Sequence, residues 1–305
     1  MIQGAFTALV TPFDGKGKID RPVYRSLLKC QAESGISGLV IGGTTGEGAT
    51  LEHEELLDLI GIAVKEVGGR LQVIAGCGSN DTSKAVRLTR EARDIGADAG
   101  LSVVPYYNKP PQEGLFEHFS AIATEGGLPI ILYNVPGRTG SNLAPETVAR
   151  LAHHPMIVGI KEASGNLQQI EDILANCPRD FSVLSGDDAL TYAVMALGGH
   201  GVVSVTSNLF PRQVARMVVD MASMRWKEGM ETHRFLSPVH RALFIDTNPI
   251  PVKAAFEILG FPVGSTRLPL AALDPAKREK LARLLHDYGE EFRKGRPVPA
   301  SMPRG

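Results

Sequence analysis

The sequence predicts an α/β protein, a (β/α)8 TIM barrel with a C-terminal helical extension. Three observations carry this expectation. Short apolar runs rich in β-branched residues recur through the first two thirds of the chain. Such near-continuous runs mean strands covered on both faces, as in parallel sheets. Helical patterns with readable starts and stops lie between them, and parallel strands need crossovers of that kind. Eight strand–helix units can be counted. That number closes a barrel, and the count sets the open doubly wound sheet behind it.

In order, the strand runs are Ala5 to Val10, Gly38 to Gly42, Val73 to Cys77 and Gly100 to Val104, then Ile130 to Asn134, Val158 to Glu162, Ser182 to Gly186 and Gly201 to Val205. Leu56, Ile60, Ala63 and Val67 form a helical stripe, with Thr50 as the expected N-cap and Gly68 as the stop. Asp81 is placed to cap Thr82 to Ile95, and Gly96 suits the C-terminal turn. Pro145 stands at a first helical position before Glu146 to Ala152. Asn166 is expected to cap Leu167 to Ala175, and Asp187 or Asp188 to cap Ala189 to Leu197. We place the barrel at residues 1–223 and the extension at 224–305. In the extension, Trp226 to Phe244, Pro251 to Leu259 and Pro275 to Arg293 read as helices packed on the barrel flank, and Gly295 to Gly305 as a loosely held tail.

Composition narrows the function classes. Of 305 residues, 43% are hydrophobic and 21% charged, which argues against disorder. The 32 basic and 33 acidic residues give a net charge of -1, so no nucleic-acid partner is expected. No apolar run is long enough for a membrane span. The segment Met1 to Phe6 lacks the basic-then-apolar pattern of a signal peptide, and a cytoplasmic location is expected. Cys30, Cys77 and Cys177 have no paired spacing, so neither a disulfide framework nor a metal centre is expected, and they read as buried packing residues. The eight histidines show no ligand pattern and read as loop or surface residues. No G-x-G-x-x-G, Walker A, zinc-helix or G-x-S-x-G motif occurs.

A barrel of this kind carries its chemistry at the C-terminal ends of its strands. Lys161 interrupts a run otherwise suited to a buried strand. Alternation sets Gly159, Lys161 and Ala163 on one face and Val158 and Ile160 on the other. Burial disfavours an ammonium and favours a neutral amine able to attack a carbonyl. A structural ion pair, with Glu162 as a partner, is the alternative. Tyr133, near the end of the preceding strand, can face the same cavity and move a proton, or be an ordinary packed tyrosine. Arg138 follows in a turn fixed by Pro136 and Gly137; its planar fork suits a carboxylate, and the alternative is a surface arginine. The loop Gly42 to Gly48 contains Thr44 and Thr45 and suits a small anion, unless it is merely a glycine-rich turn.

Several motifs in order carry a resemblance. Gly43-Thr44-Thr45-Gly46-Glu47, Tyr106-Tyr107-Asn108, Tyr133-Asn134-Val135-Pro136 followed by Arg138-Thr139-Gly140, Gly159 to Ala163, Leu184 to Asp188 and Asn248 to Lys253 resemble the 4-hydroxy-tetrahydrodipicolinate synthases (dihydrodipicolinate synthases). That family belongs to the N-acetylneuraminate lyase group of class I aldolases. The resemblance covers nearly the whole chain. It implies condensation of pyruvate with L-aspartate 4-semialdehyde through a Schiff base, in lysine and diaminopimelate biosynthesis, with no organic cofactor. It implies that Lys161 forms the Schiff base and that Tyr133 donates a proton. Thr44 and Tyr107 would complete a hydroxyl relay, with Tyr107 reaching in from an adjacent subunit. Thr45, with Thr44, would hold the pyruvate carboxylate, and Val203 would line the pyruvate pocket. Arg138 and the Gly186 carbonyl would contact the semialdehyde. A homotetramer, a dimer of dimers, is implied.

A sister aldolase cleaving N-acetylneuraminate or a 2-keto-3-deoxy sugar acid would share Lys161, Tyr133 and the threonine loop; Arg138 and Thr44 favour the synthase. A non-catalytic paralogue would have lost at least one of these groups. In lysine-sensitive members the resemblance points to an allosteric pocket at Gly48, Ala49, His53, Leu56, Asn80, Lys84 and Tyr106. Those members carry glutamate where Lys84 stands and histidine where Leu56 stands, so weak or absent inhibition by lysine is expected.

Overall fold

The computed structural model describes residues 1–293; the expected tail from Gly295 to Gly305 lies outside them. The first half of the barrel runs β1 (Gly4–Ala8), α1 (Arg21–Ala32), β2 (Gly38–Ile41), α2 (His53–Val67), β3 (Gln72–Gly76), α3 (Thr82–Ile95), β4 (Ala99–Val103) and α4 (Gln112–Gly126). The second half runs β5 (Ile130–Asn134), α5 (Pro136–Thr139), α6 (Pro145–Leu151), β6 (Ile157–Glu162), α7 (Leu167–Asn176), β7 (Ser182–Ser185), α8 (Thr191–Ala196), β8 (Gly201–Ser204) and α9 (Pro211–Ala222). Then come α10 (Trp226–Ala242), α11 (Ile250–Ile258), α12 (Pro275–His286) and α13 (Gly289–Arg293). The strands pair in parallel, in chain order, and β8 returns to β1 to close a TIM barrel.

Period-2 alternation divides the strand side chains between two environments. Phe6, Val40, Leu101, Tyr133, Leu184 and Val203 point inward and fill the barrel. Leu132, Ile160 and Val183 point outward and meet α4, α6 and α7. The expected alternation in β6 fails at one residue. Ile130 pairs with Ile157, but Ile131 pairs with Gly159, so Val158 is an extra residue opposite the β5 ladder. Val158 therefore packs on the interior cluster, not beside Ile160.

Helix caps follow the sequence with one correction. Asp81 and Asn166 cap α3 and α7 through their side chains, and Pro145 opens α6. Thr50 does not cap α2. It belongs to a short turn and donates to the Glu47 carbonyl, and Glu52 and Glu55 form a reciprocal capping box instead. Asp187 accepts from Ala189 N at 2.8 Å. Asp188 turns inward, accepting from Val205 N and Thr206 N at 2.8 and 2.9 Å.

The expected helix from Pro275 to Arg293 is two helices. Tyr288 turns inward between them; its ring lies 5.7 Å from Phe210 and 5.1 Å from Phe235, and its hydroxyl donates to the Phe235 carbonyl. The histidines are also not all peripheral. His118 and His240 are buried, each sharing a hydrogen bond through Nδ1 with a threonine hydroxyl, Thr82 and Thr206 respectively. Cys30 and Cys77 are buried and Cys177 is half-buried. No helix among the described residues is long and apolar enough to cross a membrane.

Candidate active site

A cavity of about 420 Å³ opens at the C-terminal ends of the strands. Thr44, Tyr133 and Arg138 line it, together with Glu47, Val135 and Asn248. The strand ladder brings Lys161 to the same place, because Tyr133 and Lys161 are paired positions on β5 and β6. Lys161 is 6% exposed and its Nζ lies 4.1 Å from the centroid of the Tyr133 ring.

Lys161 does not pair with Glu162. That carboxylate lies on the other face of β6, where it accepts from Asn134 Nδ2 at 2.9 Å, Gln169 Nε2 at 3.1 Å and Ser164 N at 2.6 Å. Among the described residues, Lys161 has no carboxylate at ion-pairing distance. Room for its stem comes from Gly186, directly after β7. A Cβ at Gly186 would stand 3.1 Å from Lys161 Cε and 2.6 Å from Ala163 Cβ, so only glycine fits. Val203 lies in the barrel interior, 1% exposed, paired with Phe6.

The threonine loop is held tightly. Gly48 N donates to Gly43 O at 3.1 Å, and a Cβ at Gly48 would stand 2.1 Å from the Gly42 carbonyl oxygen. Thr45 is 2% exposed, and its hydroxyl accepts from Asn248 Nδ2 at 2.9 Å. Glu47 adopts a left-handed backbone (φ 56) that ordinary side chains avoid. It is held there by Lys253, whose Nζ is 2.5 Å from Glu47 Oε1, and by Arg267 N, which donates to Oε2 at 2.8 Å. Burial pushes the Lys253 ammonium down to about 8, the Glu47 charge opposing that effect. Arg267 also grips Glu55 with both arms of its guanidinium, at 2.7 and 2.6 Å. The Phe13 ring carries Lys253 Nζ at 4.1 Å and Arg267 Cζ at 4.3 Å.

Tyr107 stands apart from this chain's cavity. It is 89% exposed, with a left-handed backbone (φ 74), and its N–H reaches only the Thr139 carbonyl at 3.4 Å. Arg138 sits on the one-turn helix α5, exposed to solvent at the cavity rim, and donates to the Asn248 carbonyl at 3.3 Å. Of the positions named for an amino-acid pocket, Gly48, Ala49, Leu56 and Tyr106 line the same cavity. Asn80 Nδ2 donates to the Tyr106 carbonyl at 3.2 Å, and His53 Nε2 lies 2.9 Å from Glu91. Lys84 is exposed on the first turn of α3.

The sequence named Glu47, Asn248 and Lys253 only within motifs, with no role assigned, and did not single out Arg267. A signal was present. Lys253 stands inside the apolar run Ile250 to Phe256, the same break in pattern that marks Lys161.

Comparison with known proteins bears on the whole of this arrangement. The dihydrodipicolinate synthetase family model matches residues 1–288. A 4-hydroxy-tetrahydrodipicolinate synthase of Maridesulfovibrio salexigens is 50% identical over 288 residues, covering 94% of this chain and 98% of the relative. A solved 4-hydroxy-tetrahydrodipicolinate synthase from Methylacidiphilum fumariolicum SolV is 46% identical, with a TM-score of 0.93 and coverage of 97% of this chain and 98% of its own. A solved DHDPS from Cyanidioschyzon merolae, with lysine bound, is 43% identical, with a TM-score of 0.91 and coverage of 94% and 98%. With identity near one half over almost the full length and the same backbone throughout, this chain belongs to the dihydrodipicolinate synthetase family.

Proposed function

We propose that the protein condenses pyruvate with L-aspartate 4-semialdehyde to give 4-hydroxy-tetrahydrodipicolinate, a lyase of the class I aldolase type in lysine and diaminopimelate biosynthesis. The observation that carries this reading is Lys161, buried against Tyr133 with no carboxylate partner among the described residues. The Lys161 amine attacks C2 of pyruvate, and loss of water gives an iminium. The iminium draws electrons from the neighbouring C–H bond, a methyl proton leaves, and the resulting enamine carbon attacks the aldehyde; the amino group brought in by the semialdehyde then attacks the regenerated iminium carbon, closing the ring and expelling the Lys161 amine. Tyr133 moves the protons that this sequence requires, with Thr44 beside it on the cavity wall. Thr44 and Thr45 hold the pyruvate carboxylate, and Val203 closes the pyruvate pocket from within the barrel. Arg138 and the Gly186 carbonyl orient the semialdehyde. No organic cofactor or metal enters this scheme.

Tyr107 serves the cavity of a neighbouring copy in a homotetramer built as a dimer of dimers. Its exposure, and its absence from the lining of this chain's cavity, support that role. The reading places the protein in the cytoplasm and treats residues 1–223 as the barrel and 224–305 as its extension. A sister aldolase would share Lys161 and Tyr133, but the synthase name of the relatives and Arg138 at the cavity rim favour the condensation.

The test is reductive trapping. Pyruvate plus borohydride should add mass to the peptide carrying Lys161. Lys161→Ala and Lys161→Arg should both abolish it, since a guanidinium stays protonated and forms no imine. An undiminished adduct in Lys161→Ala, or faster cleavage of N-acetylneuraminate than condensation of the semialdehyde, would overturn the proposal.

A further inference from the structure

Asn248 stands where the helical extension meets both arms of the site. It lies in the turn between α10 and α11 and is 4% exposed. Its side-chain Nδ2 donates to Thr45 Oγ1 at 2.9 Å. Its main-chain carbonyl accepts from Arg138 Nη2 at 3.3 Å. The residue lines the cavity, and its Oδ1 is shut off from solvent without a hydrogen-bond partner among the described residues. Leaving such an atom unpaired costs free energy, so shape alone does not account for an amide here.

We propose that Asn248 is a positioning residue for pyruvate, fixing the Thr45 hydroxyl as a donor toward the substrate carboxylate. A hydroxyl has one proton and two lone pairs. By accepting the Asn248 N–H, Thr45 Oγ1 commits one lone pair to the protein. Its own proton is then turned away from Asn248 and is free for an anionic oxygen, the stronger kind of hydrogen bond. Preset orientation also removes the cost of ordering that rotor on binding. The same stretch of chain anchors the loop a second time, through Lys253 and Glu47. Asn248 therefore does not drift relative to Thr45. This inference rests on the pyruvate reaction proposed above.

The two contacts of Asn248 separate cleanly by experiment. Side-chain substitutions remove the link to Thr45 but keep the main-chain carbonyl that Arg138 uses. Asn248→Ala should raise the pyruvate half-saturation about tenfold, both in borohydride trapping and in KM, which corresponds to about 1.4 kcal/mol. Asn248→Asp keeps the size but presents only acceptors when ionised, so it should draw the Thr45 proton to itself and raise the pyruvate KM at least as much. The semialdehyde KM should change less than about twofold in both. In a Thr45→Val background the same Asn248 substitutions should add less than about twofold, because the pair acts as one unit.

Additive effects in the double variant, an equal rise in both KM values, or an Asn248→Asp protein with the parent pyruvate KM would each overturn the inference. If Asn248→Ala does not fold, Asn248→Asp carries the comparison alone. An unmodified protein that forms no pyruvate adduct overturns the proposed function and this inference together. Normal trapping with an unchanged half-saturation in the variants overturns this inference alone.

Discussion

Replacing Lys253 with methionine tests the buried ion pair that holds the threonine loop. Methionine keeps an unbranched side chain, one heavy atom shorter, and removes the charge. In the parent, Lys253 and Glu47 side chains are 3% and 0% exposed, with the charged atoms 2.5 Å apart. Lys253 also donates to the Ser265 carbonyl at 3.0 Å. After the change, the Glu47 carboxylate keeps the Arg267 N–H at 2.8 Å as its remaining donor. Removing one member of a buried pair costs about 3–5 kcal/mol, because the other charge stays behind unpaired. At about 1.5 °C per kcal/mol for a chain of 305 residues, the Tm should fall by roughly 5–8 °C. Calorimetry of Lys253→Met at pH 7 measures it. Adding Glu47→Gln to the same protein removes the orphaned charge and should recover more than half of the loss. A Tm within about 2 °C of the parent, or a double variant no better than the single one, would refute the reasoning.

The remaining predictions concern substrate choice, regulation and acid stability. Arg138→Ala should still trap pyruvate on Lys161, while kcat/KM for the semialdehyde falls on the order of a hundredfold; steady-state kinetics alongside mass spectrometry checks both. Lysine should inhibit weakly, with half-inhibition above roughly 1 mM in a dose–response assay near half-saturating substrates. Lys84→Glu with Leu56→His is the pair expected to strengthen it. His118 is held down to about 4 by burial, with Asp81 pulling weakly the other way. Between the ordinary value of 6.5 and 4, the unfolded chain takes up a proton that the folded chain refuses. The stability this group contributes is therefore complete above pH 6.5 and lost as the pH falls through 4, up to about 3 kcal/mol in all. Denaturant titrations from pH 7 to 4 should show this slope, and His118→Gln should flatten it.

The barrel was legible because strands buried on both faces write themselves as apolar runs, and because one charge inside such a run stands out. Lys161 was readable on that ground, and Tyr133 because neighbouring strands share a cavity. Val158 was not: a single extra residue in a ladder leaves no mark on composition, yet it reverses alternation. Thr50 lost the cap of α2 to Glu52, since the loop used its hydroxyl for the Glu47 carbonyl. His240 was misjudged because a histidine's burial depends on which hydroxyl it meets, here Thr206. Asn248, Lys253 and Arg267 act on a loop about two hundred positions earlier in the chain, as with Asn248 and Thr45, 203 apart. Local pattern carries no information about partners so distant, and only the broken apolar run at Lys253 hinted at one.

That separation has a consequence in time. A chain made from its N-terminus at about 5–20 residues per second completes β8 several seconds before Arg267 is added. All the strands, with Lys161 and Tyr133, can thus be assembled while the Glu47 carboxylate still lacks both of its later partners. Lys161 is in place early, and the grip on the threonine loop comes late. A chain that stops short of its final quarter lacks Asn248, Lys253 and Arg267, and with them the contacts that hold Thr45 and Glu47.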